Sequence, residues 1–290
     1  MLKKTHFLYI NLLFGFFCFS QSTDILRAEY TVLPKTTTDI DVARYRFLVN
    51  IPFKLKTDKY LVTGAEYNLI DFDSSAALPF DLEELNTLHI IDLNLGYITK
   101  WNDNWRFVGI VSPRIASNLV ESITIDDLRL NLTATLWKER KDIEKPFRLI
   151  LGLTYNSTTG LPVPLPLISY YKRFHPNWSY TLGIPRMNFK YHINKRHTLQ
   201  TALLLDGYFV NAQNDILLPD DEIGSSISLS ALVGAFGYQY NITKSMSFYG
   251  LAGFTLSRKG LLRDDKRNNV FILSEEGSLY FKTGFKIAIF

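Results

Sequence analysis

From Ala43 to Lys56 the chain alternates without a break. Ala43, Tyr45, Phe47, Val49, Ile51, Phe53 and Leu55 form one set; Arg44, Arg46, Leu48, Asn50, Pro52, Lys54 and Lys56 form the other. Successive side chains of a strand point to opposite faces, so the pattern predicts a long strand with one apolar face and fits a helix badly. Phe147 to Asn156 repeats it, as do Leu128 to Leu136 and Asn177 to Ile184. The chain reads as all-β.

The connections fall into two kinds. Short ones lie at 57–59, 101–105, 138–146, 175–177, 194–197 and 241–245; longer ones lie at 34–41, 71–86, 118–127, 157–166, 211–223 and 261–269. Short and long alternate, as the periplasmic turns and extracellular loops of an outer-membrane barrel do. Trp101, Trp105, Trp137 and Trp178 all fall at the short-turn end, where a girdle at the membrane interface would place them. A water-soluble β-sandwich also alternates, but with strands of about 5–6 residues, shorter than several runs here.

Counting every short turn as periplasmic gives 14 runs. The runs Asn177–Ile184 and Met187–Ile193 are short and meet at Ile184-Pro185-Arg186 with almost no loop, so they do not count as two full crossings. The expectation is a single antiparallel transmembrane barrel of 12 strands, with 14 as the alternative. Roughly 270 residues over 12 strands allows about 22 per strand and connection, ample where a crossing takes about 9–11. With no repeat and no linker, residues 21–290 read as one domain.

Residues 1–20 read as a secretory signal peptide. Lys3 and Lys4 precede an apolar run of about 13 residues, too short for a spanning helix, and Cys18 and Ser20 fit a small-x-small site with cleavage after Ser20. Lipid attachment at Cys18 is the alternative, and Phe17 before it disfavours that. Cleavage takes the formal charge from +4 to +4 − 2 = +2 and removes the one cysteine. Disulfides and Cys-based chemistry are then excluded, and the charge is too near neutral to imply a nucleic-acid partner.

The last strand, LYFKTGFKIAIF, sets Leu279, Phe281, Phe285, Ile287 and Ile289 on one face and Lys282, Gly284 and Lys286 on the other. It resembles the assembly signal that the insertion machinery of bacterial outer-membrane barrels reads, through Gly284, Ile287, Ile289 and the terminal Phe290. It departs in one respect, because Phe290 falls on the lumen-facing register. WSYTLGIPRMNFKYHINKRHTLQ, RAEYTVLP and FLVNIPFKL resemble an uncharacterised family of outer-membrane β-barrels of Bacteroidota-type bacteria. The resemblance implies the barrel fold, outer-membrane lipid and the assembly machinery as partners, and no particular activity.

Local chemical signatures are sparse. His89, His175, His192 and His197 lack metal-ligand spacing, no phosphate-cradling glycine loop is present, and Asp92 and His89 fall on opposite faces of one strand. A Ser–His pair on neighbouring strands is not legible from spacing. No enzyme, metal or cofactor is expected. Alternation assigns to the lumen Arg44, Arg46, Lys54, Lys100, Arg106, Arg114, Arg129, Arg148, Lys190, Lys282 and Lys286, against Glu66, Asp92 and Asp206. This basic balance predicts a narrow channel or transporter for small polar solutes with weak anion preference. The alternative is a non-conducting barrel, closed by salt bridges, that presents acidic outer loops to a ligand. The proline-rich stretch at 157–171 is the candidate for a segment folded inward.

Overall fold

The computed structural model describes residues 24–35, 40–74, 78–80, 85–141, 143–159, 163–219 and 221–288. The expected signal peptide at 1–20, Asp220, Ile289 and Phe290 lie outside the described residues. The strands are β1 (Asp24–Leu33), β2 (Ile40–Lys56), β3 (Lys59–Ser74), β4 (Thr87–Lys100), β5 (Trp105–Ser117), β6 (Leu128–Arg140), β7 (Phe147–Tyr155) and β8 (Leu165–His175). They continue with β9 (Trp178–Ile184), β10 (Arg186–His192), β11 (His197–Leu217), β12 (Ile223–Asn241), β13 (Met246–Arg263), β14 (Asn269–Ser274) and β15 (Leu279–Ala288). Two 3-10 turns, η2 (Ile125–Asp127) and η3 (Ser157–Thr159), sit in the long loops after β5 and β7.

Each strand from β1 to β13 pairs antiparallel with the next, and β15 closes the ring between β13 and β1. The result is a closed barrel of 14 strands, not the 12 favoured from sequence. The two runs set aside there are real strands. β9 and β10 have seven residues each, are linked by Pro185 alone, and pair on both sides, with β8 and with β11. Such a link hides the turn that strand counting relies on. β14 pairs only with the far end of β13, at Gly260–Arg263, and stands outside the ring.

Alternation sorts the faces. On β2, Tyr45, Phe47, Ile51, Phe53 and Leu55 are exposed on the outside, while Ile40, Val42 and Leu48 are buried inside. The outer belt continues through Leu93, Leu153, Phe236, Phe248 and Leu256, all more than half or nearly half exposed. A belt of this extent is far larger than the apolar patches of soluble proteins and suits contact with hydrocarbon. Closure also leaves the ring itself without a terminal strand, as a chain in lipid requires.

The long-loop end is built differently from the short-turn end. β11, β12 and β13 run 21, 19 and 18 residues, well beyond the roughly 9–11 of one crossing. Above its pairing with β10, β11 leans across the mouth and meets β5, with Asn211 opposite Ser117 and the Asn118 N–H donating to the Asn211 carbonyl at 3.3 Å. Beneath this crossing the inward positions are apolar. Val42, Ile70, Leu88, Val210, Ile227 and Leu262 pack into one core, each at most 1% exposed. Alternation had marked this face as polar along its whole length. The structure keeps it polar only towards the short-turn end.

Burying such a side chain contributes about 1.5–3 kcal/mol, and truncation adds the cost of a cavity. Leu88→Ala is expected to destabilise the barrel by about 2–5 kcal/mol in urea unfolding in detergent micelles. Leu93→Ala, on the outer face of the same strand, is expected to cost under about 1 kcal/mol.

Candidate functional site: the charged lumen

Below the apolar core, the inward residues of β1, β2, β3, β4, β5, β11 and β15 carry charge. Asp206 on β11 is the hub. It accepts two hydrogen bonds from Arg44 Nη2, at 2.6 and 2.8 Å, one from the Tyr280 hydroxyl at 2.6 Å and one from Lys282 Nζ at 3.1 Å. β11 is not a ladder neighbour of β2 or β15, so these bonds cross the lumen. Arg46 binds Glu66 bidentately through Nε and Nη2, both at 2.8 Å, and reaches Glu29 at 3.2 Å. Glu29 also accepts from the Tyr249 hydroxyl. Arg114 binds Asp92 bidentately at 2.7 and 2.9 Å, and Arg27 binds Asp24. The planar guanidinium fork suits each carboxylate, and mutual pairing is what makes these buried charges tolerable.

The remaining inward cations are arranged otherwise. Arg186 and Lys190 stand on β10, opposite Leu204 and Gln200 of β11. The charged neighbours of Lys190 are Lys286 and Arg186, both cationic. Arg186 Nη2 donates to Gln200 Oε1 at 3.5 Å, and Lys286 lies 5.7 Å from the Tyr249 ring centre. Among the described residues, none of these three forms an ion pair. Arg148 is 2% exposed and sits 5.7 Å from the Trp137 ring. Arg106 lies on the inner register opposite Trp137, and Arg129, at the long-loop end of β6, donates to the Leu128 carbonyl at 2.9 Å.

Trp137 departs from the girdle expected of it. It shares the inner face with Thr135 and Arg106, donating its indole N–H to the Thr135 hydroxyl at 2.8 Å. An indole needs a partner for its N–H when buried, and here a strand hydroxyl supplies it. Trp105 lies outside with Lys138 over its ring, Trp178 lies outside against Phe189 and Tyr191, and Trp101 sits exposed in its turn. Gly284 faces inward, where a Cβ would come within 2.7 Å of the Tyr249 hydroxyl, so only glycine leaves Tyr249 room to reach Glu29. Ile287 pairs with Leu26 and Met246 in the closing ladder.

Two features were beyond sequence reasoning. Ser179 Oγ lies 2.9 Å from His192 Nε2, and His192 Nδ1 lies 3.2 Å from Thr198 Oγ1, joining β9, β10 and β11. The order of groups is that of a hydrolytic relay, but Ser179 is 1% exposed, so no substrate carbonyl reaches it in this conformation. The second is a clasp over the mouth. Asp127 of η2 accepts from Gln213 Nε2 at 2.7 Å, Asn211 Nδ2 at 2.9 Å and the Thr124 N–H at 2.8 Å; Gln213 N–H donates to Asn118 Oδ1 at 2.9 Å. Ser157 and Thr158 of η3 fold inward onto Asn131 and Arg114, which places the start of the proline-rich stretch inside the barrel. Among the described residues no group of three or more His, Cys, Asp or Glu is placed to hold a metal.

A family model matches residues 34–288. The chain belongs to the DUF6268 family, a domain of unknown function. No curated protein matches it. Among solved structures, this DUF6268 chain is similar to the NanC porin, at 11% identity and a TM-score of 0.35, covering 90% of this chain and 98% of that one. It is similar to the KdgM porin in complex with disordered oligogalacturonate, at 10% identity and a TM-score of 0.37, covering 91% and 99%. It is also similar to outer membrane phospholipase A from Escherichia coli, at 11% identity and a TM-score of 0.35, covering 91% and 93%.

Removing one partner of a buried charge cluster strands the others, at a cost of about 3–5 kcal/mol. Asp206→Ala is expected to destabilise by that amount in urea, with part recovered by adding Arg44→Met. The clasp has its own signature. Burial pushes the Asp127 carboxyl up, but hydrogen bonds from Thr124, Ser117, Asn211 and Gln213 outweigh it and hold the carboxyl below its usual range. A depressed folded value contributes stability above the unfolded value of about 3.9, lost as pH falls through the folded value. Spin labels at positions 119 and 214 are expected to keep one short distance from pH 7 down to about 4, broadening in stronger acid. Asp127→Asn is expected to abolish the transition.

Proposed function

We propose that this protein is an outer-membrane barrel that binds and passes small anions. One observation carries the reading. Asp24, Glu29, Glu66, Asp92 and Asp206 are matched by Arg27, Arg44, Arg46, Arg114 and Lys282, whereas Arg186, Lys190 and Lys286 make no ion pair among the described residues. Three cations without an ion pair, with Lys190 having only cations as charged neighbours, set up a field that concentrates anions and repels cations. The outward apolar belt fits outer-membrane lipid, and β15 fits recognition by the outer-membrane assembly machinery. The reading assigns no catalytic step and no cofactor.

The apolar core and the clasp favour a second reading, a barrel that binds an anion without conducting. Planar bilayers separate the two. Single-channel conductance with a reversal potential favouring chloride over potassium is expected, moving towards neutrality in Arg186→Gln/Lys190→Gln/Lys286→Gln. Silence of the intact protein would leave the binding barrel, and cation selectivity would overturn both.

A further inference from the structure

The wall of the barrel is uneven, and its low point lies beside the unpaired cations. β9 and β10 have seven residues each. Seven residues rise about 23 Å along a strand and, at a tilt of about 40°, about 18 Å along the barrel axis, against an apolar belt about 25 Å tall. Their aromatic residues fix which end falls short. Trp178, Phe189 and Tyr191 cluster at the short-turn end, so the deficit is at the other end, at Pro185.

The ladder marks the same place. The Leu205 N–H of β11 donates to the Pro185 carbonyl at 2.9 Å, and the next backbone contact towards that side is Asn211 with Asn118. Between them the β11 backbone at Gly207 and Phe209 pairs with β12 on one side and, among the described residues, has no strand on the other, while η3 packs against β11. Unpaired backbone is tolerated at membrane depth only where it meets water or a polar group. The gap therefore interrupts the strand ladder as a notch between β8 and β11, about 14 Å across from axis to axis at three strand spacings.

The residues around the notch are amphiphilic by position. Arg186 is the first residue of β10, exposed at the lip on the inner register, with Lys190 two pleat repeats, roughly 13 Å of strand, below it. On the outer register beside it stand Ile184, Met187 and Leu205, exposed by 47%, 39% and 54%. Cationic groups and an apolar outer surface thus adjoin across a single residue, Pro185.

We propose that the anion site is reached sideways over this lip, and that its ligand is a single-chain anionic amphiphile such as a long-chain carboxylate. The headgroup lies on Arg186 and Lys190, while the acyl chain stays in the bilayer along Ile184, Met187 and Leu205. One extended chain passes the notch with β8 and β11 in place. This deepens the anion reading and rests on it for the site, but not for conductance.

The test uses the full chain in maltoside micelles with chain-end spin-labelled stearate, read by immobilisation of the label. Palmitate is expected to displace it at least 100-fold better than butyrate and at least 10-fold better than two-chain phosphatidylglycerol. Arg186→Gln and Met187→Asp, both at exposed positions, are each expected to weaken binding about 10-fold with unchanged circular dichroism. Equal displacement by butyrate would overturn the sideways route while leaving the anion reading intact. Equal displacement by phosphatidylglycerol would overturn the single-chain assignment. Binding insensitive to both variants, or no immobilisation at all, would overturn the site. Selectivity in planar bilayers tests the parent reading independently of these outcomes.

Discussion

Asp206 is the residue on which the interior depends. A carboxylate at this depth is affordable only with several donors, and it receives them from β2 and β15, on the far side of the lumen. Those bonds act as struts. They set the distance between non-adjacent strands, which ladder hydrogen bonds alone leave free to vary. Above the struts the lumen closes on aliphatic side chains; beside them stand cations that form no ion pair among the described residues.

This division explains how one ring of strands has two kinds of interior. The β1–β2–β3–β4–β5 arc pairs its acids locally, Lys282 of β15 joins Asp206, and the arc is stiff with bidentate contacts. Along the β10 side, Lys190 faces Gln200 and Ser179 in place of an acid. Two of the cations without an ion pair, Arg186 and Lys190, thus stand on the strand where the wall is also lowest. Selectivity, in this reading, is a property of what is unpaired, not of net charge. The whole chain carries a formal excess of +4, yet around Lys190 the charged neighbours are cations alone.

Much of this was legible in the sequence because alternation is a local property. The pleat sorted Arg44, Arg46, Glu66 and Asp206 onto the inner face without any knowledge of their partners. The same rule would have placed Trp137 inside, since it shares parity with Arg129 and Thr135; reading it by its position near a turn, without its face, sent it to the girdle. The apolar inner positions Val42, Ile70, Leu88 and Val210 share parity with charged ones. Their burial follows from the lean of β11 onto β5, and a contact between Asn211 and Ser117 is set by tertiary packing that no local pattern encodes. The strand number was missed for a similar reason. Alternation showed both runs, but a one-residue connection and their short length set them aside as full crossings; the partners on either side make them strands of the ring.

The period of a strand gives the Asp206 hub one more role. Tyr280 and Lys282 both come from β15, the strand that closes the ring between β13 and β1, and both lie on its inner face. If β15 docked one residue out of step, both side chains would swing outward and Asp206 would be left with Arg44 alone among charged partners, in a lumen with little water to replace them. The interior charge therefore acts as a proofreader at the seam: a barrel closed in the wrong register carries an energetic fault at its centre, far from the strand that made the error.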